Sequence, residues 1–174
     1  MYGSIQVSRR TVRPERRTVA LTLFNKRSLP DQYKALDRIT GKGLSAYIGR
    51  EEFQAEIGTL TTLYPRHGAA RLFVLGLGDR PSESSDLSKA LRIASAKLIV
   101  AAAAAKLRHV ELVAPVLDGD LTIDQIGAAI GEGLQIGNFE FDEFKGKTQR
   151  KTDRSKRRLS ILIDPPLSPD VAHG

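Results

Sequence analysis

A chain of 174 residues, 41% hydrophobic and 27% charged, has the balance of one globular domain with a core of its own. It has no cysteine, which excludes disulfides, thiolate metal ligands and a cysteine nucleophile, and fits a cytoplasmic setting. The net charge of +7 is confined to residues 145–158, where Lys145, Lys147, Arg150, Lys151, Arg154, Lys156, Arg157 and Arg158 face the single acid Asp153; the remainder balances nineteen basic against nineteen acidic residues.

Residues 1–17 are polar and arginine-rich, without the apolar core of a signal peptide. The longest apolar run, 98–105, is too short to span a bilayer, so the sequence reads as soluble, with no membrane partner. Residues 4–8 alternate weakly and suggest a first strand, and residues 9–17 read as a polar loop with five arginines. Residues 18–24 (TVALTLF) are β-branched and apolar, as in a strand. Ser28 then offers a helix cap, Pro30 suits a first turn, and Asp31 stands where a carboxylate meets free amides. Tyr33, Leu36 and Ile39 form the apolar face of that helix, and Gly41 can close it in a left-handed conformation. A second short helix carries Leu44, Tyr47 and Ile48 on one side.

Residues 58–64 (GTLTTLY) are strand-like and stop at Pro65, while residues 71–77 (RLFVLGL) form a continuous apolar run typical of a buried strand. The longest helix spans residues 86–107, with Leu87, Leu91, Ala94, Leu98, Ala102 and Ala105 on one stripe. Residues 110–113 (VELV) make a short strand. Thr122 and Gln125 have capping-box spacing for a helix with Ile123, Ile126, Ile130 and Leu134 on its apolar face. Gly127, Gly131 and Gly133 are poor helix formers whose presence suggests close approach to a neighbour. Residues 159–163 (LSILI) are the last strand. The domain is expected to span residues 1–166, with 167–174 beginning a linker or tail. Strands alternating with helices predict an α/β layered domain, and the early departure from strict alternation predicts a mixed sheet.

No catalytic constellation stands out. His67, His109 and His173 are scattered through a turn, a strand entry and the tail, in no metal-ligand spacing. Asp118, Asp120 and Asp124 cluster at a turn and helix start, where capping explains them better than a cation. Glu140, Asp142 and Glu143 can pair with the basic segment that follows. Gly76 and Gly78 sit at a strand end as a phosphate-binding loop would, but Pro81 replaces the third glycine of GxGxxG, which favours tight packing. The basic run 145–158 offers weak contacts to DNA phosphates, without the aromatics of a single-strand platform; a solvated loop is the plainer reading.

Four segments in order resemble the N-terminal domain of the leucyl (cytosol) aminopeptidase family. LDRITGKGLS (36–45) resembles its helix-turn-helix with a glycine-rich joint, and FQAEIGTLTTL (53–63) its run FKGKxGxTxxL, with Gln54-Ala55-Glu56 departing from it. RLFVLGLG (71–78) is similar to RVLLVGLG, and GLQIGNFEFDEFK (133–145) to GxxLGxYxFxxYK, with Phe139 and Phe144 where tyrosines are usual. The resemblance implies a three-layer α/β/α sandwich with a mixed sheet, macro-domain-like. It also implies a separate C-terminal catalytic domain holding two divalent metals (zinc or manganese), a hexameric parent, and DNA binding in some members. The family's catalytic signature Asn-Thr-Asp-Ala-Glu-Gly-Arg does not occur here, so no catalytic or metal-binding residue and no cofactor is assigned to this chain. The expected function is that of a non-catalytic domain serving assembly and active-site access in a parent that releases N-terminal amino acids. The alternatives are a stand-alone macro-like module binding a nucleotide or ADP-ribose, and a weak DNA-binding module.

Overall fold

The computed structural model describes residues 2, 4–9, 17–113, 115, 117, 121–139 and 158–164. Ten elements follow in order: β1 (Ser4–Arg9), β2 (Thr18–Leu23), α1 (Asp31–Ile39), α2 (Gly43–Ile48), β3 (Leu60–Leu63), β4 (Arg71–Gly76), α3 (Ser84–Ala104), β5 (His109–Val113), α4 (Ile123–Asn138) and β6 (Arg158–Asp164). The strands form one sheet in the order β1-β6-β5-β2-β4-β3. All neighbours are parallel except β3, which runs antiparallel to β4. This is the expected mixed sheet, with helices on both faces.

The faces follow from strand alternation. Val19, Leu21 and Leu23 of β2, with Leu72 and Val74 of β4, meet Tyr33 and Leu36 of α1 and Leu44 and Ile48 of α2. Ala20, Phe73, Leu75, Val110, Leu112, Leu159 and Ile161 point the other way, into α3 and α4. Two apolar layers therefore sandwich the sheet. On β5, Glu111 is buried at 1% exposure, and Arg17 pairs with it through Nη1 at 2.5 Å. A charge taken this far out of water needs such a partner.

The turn between α1 and α2 rests on Asp37. Its Oδ1 accepts from the backbone N–H of Leu44 at 2.9 Å and of Ser45 at 3.1 Å, and its Oδ2 accepts from the Ser45 hydroxyl. One buried carboxylate of α1 thus satisfies the first amides of α2. Gly41 (φ +72°) and Lys42 (φ +63°) both take left-handed backbone, which folds the chain back sharply enough for this contact.

Helix α4 opens with the predicted capping box, Gln125 N–H to Thr122 Oγ1 at 3.2 Å and Thr122 N–H to Gln125 Oε1 at 2.8 Å. Ile39 and Ile123, expected on the apolar faces of α1 and α4, are exposed at 45% and 46%, and three further expectations need correction. Helix α1 starts at Asp31 behind Pro30, not at a Ser28 cap; Pro30 occupies the cap position and supplies no side-chain hydrogen bond. Strand β3 begins at Leu60, because Gly58 (φ +81°) lies in a turn closed by Thr59 N–H and Oγ1 on Glu56 O. Gly127 and Gly131 face open space; the glycines in close approach are Gly133 and Gly137. A Cβ on Gly133 would lie 2.7 Å from Ser95 Cβ and collide with Arg92 O. One on Gly137 would lie 2.7 Å from Ala96 Cα. These two glycines, one turn apart, let α4 settle on residues 92–99 of α3.

Candidate functional site

The chain leaves β2 through α1, α2 and β3 to reach β4 on one side, and leaves β5 through α4 to reach β6 on the other. Between β2 and β5 the connections diverge, and a crevice opens beyond the carboxyl ends of these strands. Such a topological switch point is the usual ligand position in open α/β sheets. A cleft of about 680 Å³ lies there. Its lining comes from the end of β2 (Thr22, Leu23, Phe24), the following loop (Asn25, Lys26, Ser28), the start of α1 (Pro30, Asp31, Gln32), Arg80 of the β4–α3 loop, and Pro115 beyond β5.

The cleft is firmly backed. Tyr33 is fully buried, and its hydroxyl lies 3.4 Å from both the N–H and the Oγ1 of Thr22. Burial pushes the phenol above its ordinary value, against the opposing pull of those bonds and of Gln32. Asn25 stitches two loops together: its N–H donates to Gly78 O at 2.8 Å, its Nδ2 to Asp79 Oδ1 at 3.3 Å, and its Oδ1 accepts from Ala55 N–H at 3.3 Å. The Arg80 guanidinium stands 5.8 Å from the centre of the Phe24 ring. Asp31, the acid of the lining, pairs with Lys34 at 2.6 Å.

Gly76 and Gly78 adjoin this region but present no amide to it. Gly76 N–H donates to Thr59 O at 3.0 Å, Leu77 N–H to Leu23 O at 2.9 Å, and Gly78 N–H to Ala55 O at 2.7 Å. A Cβ on Gly76 would run into Glu56 O and Thr59 Oγ1, and Gly78 holds φ +74°. Gly76 makes room for the backbone of residues 55 and 56, and Gly78 for the Ile57 side chain.

His67 lies beside the α1–α2 turn, where a Cβ on Gly41 would meet its Cδ2 at 3.9 Å. His109 opens β5 and is exposed. Asp124 is in the first turn of α4. Among the described residues no three His, Asp or Glu side chains gather to hold a metal ion. No described helix is long and apolar enough to cross a membrane. Arg158 opens β6. Lys145, Lys147, Arg150, Lys151, Arg154, Lys156 and Arg157 lie outside the described residues, as do Asp118, Asp120, Glu140, Asp142, Glu143, His173 and the tail 167–174.

Sequence reasoning overlooked the cleft. Its signal is the polar stretch Asn25-Lys26-Arg27-Ser28 between the end of a buried strand and a helix start. Asp37 was legible only as part of a family segment, because its partners sit seven and eight residues away on a different helix.

Residues 20–148 match the profile of the cytosol aminopeptidase family, N-terminal domain. A probable cytosol aminopeptidase of Alkaliphilus oremlandii is 27% identical over 138 residues, covering 78% of this chain and 27% of the relative. The chain thus spans about a quarter of the length of the curated relatives it matches. Among solved structures, a mutant of tomato leucine aminopeptidase superposes with a TM-score of 0.67 at 21% identity, covering 97% of this chain and 34% of that one. The macrodomain of Thermus aquaticus DarG superposes with a TM-score of 0.58 at 13% identity, covering 93% of this chain and 98% of that one. The fold is macro-domain-like, and the chain belongs to the cytosol aminopeptidase family, whose N-terminal domain it forms.

Proposed function

We propose that this domain is a non-catalytic unit of a metal-dependent leucyl aminopeptidase, serving assembly and access to an active site on a C-terminal domain of the same parent. The observation that carries this reading is the extent of the tomato enzyme's match: nearly all of this chain corresponds to about a third of that one. In this reading the parent is a cytoplasmic homo-oligomer, a hexamer, that releases N-terminal amino acids from peptides. The "cytosol" in the relatives' names supports the location.

Two divalent ions, zinc or manganese, would supply the Lewis acid and the activated water of such hydrolysis. The described residues of this chain do not fit that pair: His67 and His109 stand apart, and the clustered ligands that two ions require do not gather. In this reading the chemistry belongs to the C-terminal domain of the parent.

The test is direct. With manganese or zinc supplied, the 174-residue chain alone should release no amino acid from a leucyl anilide, whereas the chain joined to its family's catalytic domain should. Metal-dependent turnover by the chain alone would overturn the reading. The macro-like alternative, a nucleotide or ADP-ribose module, draws support from the near-complete match to the DarG macrodomain. The described Gly76–Gly78 loop offers it no phosphate cradle, because the amides of Gly76, Leu77 and Gly78 are all bonded to backbone carbonyls.

A further inference from the structure

Strand β3 ends one side of the sheet, with β4 on its inner side and no described strand on its outer side. The ladder fixes which of its backbone groups are left over. Gly76 N–H donates to Thr59 O at 3.0 Å, so Thr59, Thr61 and Leu63 turn their backbone groups to β4. Leu60, Thr62 and Tyr64 therefore turn theirs outward. Sheet edges are ordinarily guarded by a lysine, a proline or a bulge. Here residues 57–65 carry no charged side chain, and Pro65 falls beyond the strand. Leu60 packs towards α3. By the same alternation Tyr64 lies on that face, where the Arg71 guanidinium stands 5.5 Å from its ring centre and 5.6 Å from that of Phe73. The Tyr64 ring is thus held in place while 70% exposed. Thr61, bonded to the Tyr47 hydroxyl at 2.9 Å, and Leu63 lie on the α2 face.

We propose that β3 pairs with β3 of a second copy of this chain, antiparallel about a twofold axis through Thr62. Hydrogen bonds form only where an outward residue meets an outward residue, and centring the pair on Thr62 engages all three. Thr62 exchanges bonds with Thr62 of the second copy, and Leu60 with Tyr64 of the second copy, once on each side of the axis. The exposed Tyr64 ring then covers the half-buried Leu60 across the axis, and Thr61 meets Leu63 on the other face. The segment is complementary to itself in reverse, apolar at both ends and neutral at the centre, so a copy of this chain fits it without bringing like charges together in the paired residues. The contact gives specific form to the assembly role proposed above and rests on that reading only for its place in the parent.

The test uses the whole chain. Sedimentation equilibrium from about 0.01 to 1 mM should show the mean mass rising towards twice that of one chain, because so short a contact is a weak one. Amides of residues 60–64 should shift with concentration over the same range. Thr62→Pro removes an N–H that β4 does not use, so the melting midpoint of the dilute chain should hold while the dissociation constant rises about tenfold or more. Thr62→Lys sets like charges against each other at the axis and should weaken pairing similarly at low salt, with partial recovery at high salt. It serves equally if the proline variant does not fold. Ile136→Ser, at an exposed position on α4, should dimerise as the unaltered chain does. A single-chain mass up to the highest concentration overturns the proposal, as do dimers that survive both Thr62 variants or shifts confined to other residues. Those failures leave the peptidase reading standing, since it is decided by amino-acid release from the leucyl anilide.

Discussion

Asp37→Ala should be among the most damaging single polar changes in this domain. The side chain is 5% exposed and accepts three hydrogen bonds across the α1–α2 turn, two of them from backbone amides. Removing it deletes a helix cap, worth about 0.5–2 kcal/mol, and strands the amide of the fully buried Leu44, which adds about 1–3 kcal/mol. The two effects overlap, so the expected loss is about 2–4 kcal/mol. For a chain of this size each kcal/mol lowers the melting midpoint by roughly 2–4 °C. Asp37→Asn is the control. It keeps an oxygen for the Leu44 and Ser45 amides, and the Ser45 hydroxyl can reverse to accept from the new amide, so about 1 kcal/mol should be lost. Urea unfolding followed by circular dichroism measures both. An alanine variant within about 0.5 kcal/mol of the parent chain would refute the capping argument, as would an asparagine variant equal to the alanine one.

The α4 glycines should divide by position. Gly133→Val or Gly137→Val forces α4 off α3 and should destabilise by about 1–3 kcal/mol, whereas Gly127→Ala, facing open space, should gain about 0.5–1 kcal/mol; denaturant melts of the three variants decide it. Tyr33 makes stability fall in alkali. Its folded pKa is raised above 10.0, so its contribution is complete below that pH and is lost as pH climbs through the folded value. Tyr33→Phe should flatten the alkaline limb in melts from pH 8 to 11 and cost about 1 kcal/mol at neutral pH. If residues 145–158 bind duplex DNA, binding should be weak, indifferent to sequence and steeply salt-dependent. Retention after neutralising Lys151, Arg154, Arg157 and Arg158 in a low-salt titration would exclude that segment.

What the sequence disclosed depended on the range of the interactions. Thr122 and Gln125 lie three residues apart, and their capping box was readable directly. Of the expected stripe, Leu87, Leu91, Ala94, Leu98 and Ala102 are buried, because helical periodicity is itself a local property, whereas Ala105 falls past the helix end as its C-cap. Gly127, Gly131 and Gly133 look alike in sequence, and only the azimuth of α3 selects Gly133 and brings in Gly137. The cleft was only partly legible for the same reason. Its walls meet only after β5 has inserted beside β2, and nothing in residues 22–32 announces that Arg80 and Pro115 will face them.

The position of β6 dictates an order of assembly. It lies between β5 and β1, so β1 has no strand to pair with until residues 158–164 arrive. Tyr2 waits in the same way, held at the end by Asn138 through bonds of 2.9 Å in both directions and by its own hydroxyl on Leu107 O at 2.7 Å. On a ribosome moving at about 5–20 residues per second, the first strand would stand unpaired for about 8–30 s. Its outward side chains Ser4 and Gln6 are polar and its neighbourhood is rich in arginine, so the waiting strand is poor bait for other nascent chains.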